Sequence, residues 1–214
     1  LVVVEFSPET RTAALFTQSA FRAAPVVVAE RHGSVNQGHA QLLLINTGNA
    51  NAGNGAMGIT AAEKCCDALA DMTSVNRSDV LPFSTGVIGE PLDADRIAAA
   101  LPSAIHDLGA DNWQRAAAAI LTTDTRPKLR TIEVDVDGKV CRITGMSKGA
   151  GMICPNLATM LAFIATDAEI EQASLDTLLR RANSVSFNRI TVDGDTSTND
   201  AVTLSATGLS GVCV

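Results

Sequence analysis

Tyrosine is absent from this chain of 214 residues, and aromatic side chains make up only 3% of it. A core that cannot be filled with large rings must be built from Ala, Val, Leu and Ile. Small residues then let backbones approach closely, and packing depends on many short apolar contacts. Hydrophobic residues at 46% against 18% charged ones describe a folded chain, long enough for one large domain or two small ones. No apolar run reaches the roughly 18 residues that would span a bilayer, which excludes a membrane-spanning helix. Asp and Glu outnumber Lys and Arg by 23 to 16, for a net charge of -7. That balance argues against a nucleic-acid binder, which needs a basic stripe to neutralise phosphates.

Five cysteines and three histidines carry no metal-ligand spacing. Cys65 and Cys66 are adjacent, Cys141, Cys154 and Cys213 stand alone, and His32, His39 and His106 are scattered. Reduced thiols in a cytoplasmic protein are the economical expectation. The chain opens Leu1-Val2-Val3-Val4-Glu5, with no basic segment or cleavage site of a signal peptide and no initiator Met. It is therefore expected to be part of a longer polypeptide.

Leu1–Phe6 and Thr12–Phe16 read as strands around a Ser7–Thr10 turn. Pro25–Ala29 and Gln41–Asn46 are short apolar runs and read as buried strands. Asn46–Gly58 holds four Gly and four Asn in thirteen residues, a composition that predicts a loop. Thr60 and Glu63 have capping-box spacing for a helix start, and Ala62, Cys65, Cys66, Leu69 and Met72 follow at helical spacing. Helices are expected over Asp93–Leu101, Asp111–Ile120 and Ser174–Asn183. Asp137-Gly138 between Thr131–Val136 and Lys139–Ile143 signals a two-residue hairpin. Strands near Thr159–Ala165 and Ala201–Ser205 complete a mixed α/β layered domain.

Four segments carry chemistry. Asn46–Gly53 could cradle an anion with backbone N–H groups, or simply bridge a strand and a helix. Pro82–Gly89 offers hydroxyls and an unobstructed Gly N–H, the ingredients of an oxyanion hole or of an ordinary turn. In Leu121–Lys128, hydroxyls at a helix end either bind a polar ligand or terminate the helix. Gly145–Leu161 surrounds Lys148 with glycines and leads through Pro155-Asn156 to Ala158-Thr159. Thr159 is either a strand residue or, once the preceding bond is cut, a nucleophile that carries its own base. Its α-amino group would have a pKa of about 7.7–8.0, close to working pH.

Asn46–Ala52, Ser84–Gly89, Thr122–Thr125 with Pro127-Lys128, Gly145–Ile153, Pro155–Leu161 and Asp193–Asp200 occur in one order. In that order they resemble the ornithine acetyltransferase family of arginine biosynthesis, also called glutamate N-acetyltransferase or arginine biosynthesis bifunctional proteins. Ser147 stands where many relatives have Ala, and Cys154 where many have His. The resemblance implies an α/β, N-terminal-nucleophile-like sandwich of mixed sheets and helices. It implies self-cleavage between Ala158 and Thr159, giving an α chain of residues 1–158 and a β chain whose first part is 159–214. The rest of the β chain, with further substrate ligands that include a glutamate, would lie outside these residues.

Carried over residue by residue, the resemblance makes Thr159 the nucleophile, Thr85 and Gly86 the oxyanion hole, and Thr122, Lys148 and Thr159 the substrate-binding set. It implies transfer of acetyl from N-acetylornithine to glutamate without metal or organic cofactor, leaving open acetyl-CoA as a second donor. It also implies an assembly of two α and two β chains. An N-terminal-nucleophile aminopeptidase or amidase, with water as acceptor, is the alternative within the fold. A non-enzymatic binding subunit is the alternative outside it.

Overall fold

The computed structural model describes residues 1–154 and 160–214. Ala158 and Thr159, with Pro155, Asn156 and Leu157, lie outside the described residues.

Two mixed sheets form the centre. The smaller has three strands, β1 (Val2–Glu5), β3 (Leu42–Asn49) and β4 (Val80–Val87), in the order β1-β3-β4. In it β1 runs antiparallel and β4 parallel to β3. The larger holds β2 (Arg11–Phe16), β5 (Lys128–Val136), β6 (Lys139–Lys148), β7 (Leu161–Thr166) and β8 (Ala201–Ala206), in the order β2-β8-β7-β6-β5. Only its β7–β8 pair is parallel. Among the described residues five α-helices accompany them: α1 (Ala24–Val35), α2 (Gly55–Thr73), α3 (Ala94–His106), α4 (Trp113–Ala119) and α5 (Gln172–Val185).

Strand periodicity turns this list into layers. Successive side chains point to opposite faces, and β3 is buried on both. Leu43 and Ile45 join Val2, Leu81, Phe83, Met146, Leu161, Phe163 and Ala201 in a core between the sheets, closed at one end by Ala117 and Ile120. Leu42 and Leu44 face the other way, into a core with Val28 of α1, Cys65, Cys66 and Leu69 of α2, and Leu101 of α3. The far face of the larger sheet packs Ala162 and Val202 against Leu175 and Leu179 of α5. The order is helices, sheet, sheet, helix. The Phe83 and Phe163 rings meet across the sheets edge to face, centroids 5.0 Å apart, an arrangement worth about 0.5–1.5 kcal/mol beyond burial.

Several local expectations are corrected. Pro25–Ala29 is not a strand but the start of α1, where Pro25 sits in the first turn, the helical place that loses nothing by lacking an N–H. Helix α2 begins at Gly55 rather than Thr60, whose hydroxyl instead bonds back to Ala56 O at 3.1 Å inside the helix. Ala62, Cys65, Cys66 and Leu69 are buried as their spacing predicts, but Met72 is exposed. Burial raises the Cys65 thiol to about 11 and Cys66 higher still, so both stay protonated core groups. Asn46–Asn49 is strand rather than loop, and Ser84–Val87 is strand rather than turn. The third helix continues through Pro102 to His106. The Asp137-Gly138 turn forms as expected, with φ of 53° and 80°.

Among the described residues no helix is long and apolar enough to cross a membrane.

Candidate active site

The site is built where β3 and β4 change from apolar to polar. Their parallel register sets Asn46 beside Ser84, Thr47 beside Thr85 and Gly48 beside Gly86. Ser84 Oγ donates to Asn46 Oδ1 at 2.5 Å, and Asn46 Nδ2 donates to Asn49 O at 2.8 Å. These bonds satisfy polar groups that the strand would otherwise bury unpaired. Gly86 has φ of 137°, and a Cβ there would lie 2.2 Å from Gly48 C and 2.5 Å from Asn49 N. Only glycine lets the two backbones come so close.

Thr47 Oγ1 donates to Ala119 O at 2.7 Å, fastening β3 to the end of α4 and hence to the segment carrying Thr122 and Asp124. Lys148, the last residue of β6, is 4% exposed. Its ammonium donates to Thr122 Oγ1 at 2.7 Å and Thr85 Oγ1 at 3.0 Å. Three segments distant in sequence thus converge on one nitrogen. Burial lowers the Lys148 pKa, Asp124 opposes that, Lys128 adds to it, and Asp200 opposes it again. The Asp124 side chain is fully buried, and its Oδ1 accepts from Lys128 Nζ at 2.5 Å and from Gly149 N at 2.8 Å. Burial alone would push its carboxyl up, but these donors and the two lysine charges hold it below the usual range.

The segment Asp193–Asp200 secures the neighbouring chain. Asp193 accepts the N–H groups of Met152 at 2.6 Å and Ile153 at 3.0 Å, and its carboxyl is lowered chiefly by the Met152 bond. Asp200 Oδ1 accepts Met160 N–H at 2.9 Å. Asn199 Nδ2 spans the sheets, donating to Ala50 O at 2.7 Å and Ser84 O at 3.0 Å. Described residues on both sides of 155–159 are thereby tied to one segment.

Of the residues singled out from sequence, Thr85, Gly86, Thr122 and Lys148 come together, while Ala158 and Thr159 fall outside the described residues. Asp124, Lys128, Asp193, Asn199 and Asp200 were not singled out. All five lie inside the motifs named above, but the contacts that place them here reach 21 to 149 positions along the chain, apart from the Asp124–Lys128 pair four residues apart. Nothing in the spacing announces such contacts. No group of three or more His, Cys, Asp or Glu that could hold a metal occurs among the described residues.

Comparison with known proteins shows the family to which the chain belongs. The arginine biosynthesis bifunctional protein ArgJ of Pseudomonas syringae pv. tomato is 52% identical over 208 residues, covering 97% of this chain and 51% of that protein. The chain thus spans about half the length of the curated relatives it matches. Two solved structures share the fold. Arginine biosynthesis bifunctional protein ArgJ of Bacillus halodurans has a TM-score of 0.60 at 29% identity, covering 72% of this chain and 88% of its own. Ornithine acetyltransferase of Mycobacterium tuberculosis, solved with ornithine, has a TM-score of 0.58 at 30% identity, covering 73% of this chain and 82% of its own. A model of the ArgJ family matches residues 1–212, and the chain belongs to that family.

Proposed function

We propose that the full-length protein is an ornithine acetyltransferase, moving acetyl from N-acetylornithine to glutamate to give ornithine and N-acetylglutamate. The observation that carries this reading is the buried Lys148 ammonium held between the Thr85 and Thr122 hydroxyls, beside Gly86. A hydroxyl that accepts from a cation keeps its own hydrogen for another partner and is polarised as a donor. Thr85 Oγ–H with Gly86 N–H would stabilise an oxyanion, and a buried site makes such donors count for more than they would in water.

Thr159 Oγ attacks the acetyl carbonyl, and its proton passes to the Thr159 α-amine. The oxyanion collapses, the C–N bond to ornithine breaks, and the stored proton leaves on the departing amine. Glutamate then attacks the acetyl-threonine ester through its own amine, and the Thr159 hydroxyl is regenerated. Thr122 and Lys148 bind and orient the amino acid. The same Thr159 Oγ first attacks the Ala158 carbonyl; the acyl group shifts from N to O, and water hydrolyses the ester. This leaves residues 1–158 as the α chain and Thr159 at the head of the β chain, in an assembly of two of each in the cytoplasm. Acetyl-CoA would be a second donor.

Assay of the full-length protein with glutamate and each donor in turn, together with N-terminal sequencing, tests the reading. Expected are glutamate-dependent transfer from N-acetylornithine and a second N-terminus at Thr159. Acetyl release that needs no amine acceptor would make the protein an amidase. A second N-terminus elsewhere, or none, would overturn the assignment of Thr159.

A further inference from the structure

Two hydroxyls do not neutralise a buried ammonium, and no carboxylate forms an ion pair with Lys148 among the described residues. An ion pair is instead held against the neighbouring peptide group. Gly149 follows Lys148 with φ of 150°, and both of its backbone groups are held. Its N–H donates to Asp124 Oδ1 at 2.8 Å, and its carbonyl accepts from Lys128 Nζ at 3.1 Å. Asp124 and Lys128 close the ring by pairing with each other at 2.5 Å. Lys128 is fixed in turn by the β5–β6 register, opposite Ser147. Thr122, a partner of the ammonium, lies two residues before Asp124, so one short segment supplies both the hydroxyl and the charge.

We propose that the Asp124–Lys128 pair is a positioning device for Lys148, clasping the Gly149 peptide that follows it. Asp124 favours the charged form and Lys128 disfavours it. The charged groups facing Lys148 are Asp124, Lys128 and Asp200. The Asp124 side chain is fully covered, whereas that of Lys128 is 43% exposed. The carboxylate therefore acts through a low dielectric, and the lysine is partly screened by water. The role in turnover rests on the acetyltransfer reading above, but the effect on Lys148 does not.

The test is a pH titration of Lys148 in the full-length protein, followed by the ¹³Cε resonance of labelled lysine and assigned with a Lys148→Met variant. Asp124→Asn keeps an acceptor for Gly149 N–H but removes the charge. It should lower the Lys148 titration by about one pH unit or more, and the alkaline limb of kcat/KM should move down with it. Lys128→Gln should move both upward by a smaller amount. An unchanged titration in Asp124→Asn, or shifts of the same direction in both variants, overturns the proposal. So does a loss of thermal stability in both with no titration shift, which is what a merely structural pair would give. If Asp124→Asn fails to fold, the sign of the Lys128→Gln shift decides alone. A wild-type protein that lacks transfer defeats the acetyltransfer reading and leaves the titration to judge the pair.

Discussion

Strands β3 and β4 run side by side through two different environments. Over Leu42–Ile45 and Val80–Phe83 both faces are apolar and closed, one against helices and the other against the second sheet. Over Asn46–Asn49 and Ser84–Gly86 the ladder continues, but the side chains are amides and hydroxyls, interrupted by glycine, and they bond to one another, to Lys148 or to backbone carbonyls of other segments. Direction is the same in both halves, and the register holds until it shifts between Gly48 and Asn49. What changes is how the side chains are satisfied: by excluding water in the first, by finding partners from distant segments in the second. A rigid apolar half thus carries a polar half whose geometry it fixes, as a site requiring placed donors demands.

Substitutions along β4 should separate the halves. Gly86→Ala should have the largest effect, since its Cβ would enter the Gly48 backbone on a φ that L residues rarely adopt. A loss above about 4 kcal/mol is expected. Thermal unfolding indistinguishable from wild type would mean that the strand ends part without cost.

Phe83→Ala removes one ring of the inter-sheet pair and should cost about 3–5 kcal/mol. Transfer per folded molecule should change little, because the polar half keeps its own bonds. Loss of turnover out of proportion to loss of fold would contradict the separation.

Thr85→Val is the converse. The isosteric side chain should keep the fold within about 1–3 kcal/mol, yet kcat should fall about 10²–10³-fold once an oxyanion donor is gone. Wild-type kcat would remove Thr85 from the site.

The smallest effect belongs to His32 of α1, whose Nδ1–H donates to Val80 O at 2.8 Å at the apolar start of β4. Burial lowers its pKa below the usual value, against the opposing Val80 bond. The unfolded state therefore takes the proton first as pH falls below about 6.5. The contribution of His32 is full above that pH and is lost on acidification towards its lowered folded value. His32→Gln should flatten this decline, measured as urea midpoints at about pH 7.5 and about pH 5.5. Equal slopes in both proteins would assign the acid sensitivity to other groups.

The apolar half of this comparison was the more legible from sequence. Gln41–Asn46 declares a buried strand, and Ala62, Cys65, Cys66 and Leu69 declare a helix face. Val26–Val28 misleads because β-branched residues favour strands locally, and the decisive signal is Pro25 at a helix start. The polar half misleads for a different reason. Asn and Gly argue against a strand, but here Ser84 and Asn49 supply the bonds that keep Asn46 in one. Thr85, Gly86, Thr122 and Lys148 could be picked out because their motifs are distinctive. Asp124 and Asn199 could not, since each matters through a partner fixed only when the sheets close.

The scarcity of aromatic residues has a last consequence, an optical one. Trp113 is the only tryptophan and there is no tyrosine, so long-wavelength emission from this chain arises from one indole. That indole opens α4 and packs against the core between the sheets, and the other end of α4 is pinned by Thr47. Its colour and quenching therefore report on a single joint, the seat of the helix that delivers Thr122 and Asp124. Ligand entry or a slipped strand end could be followed there without attaching a label.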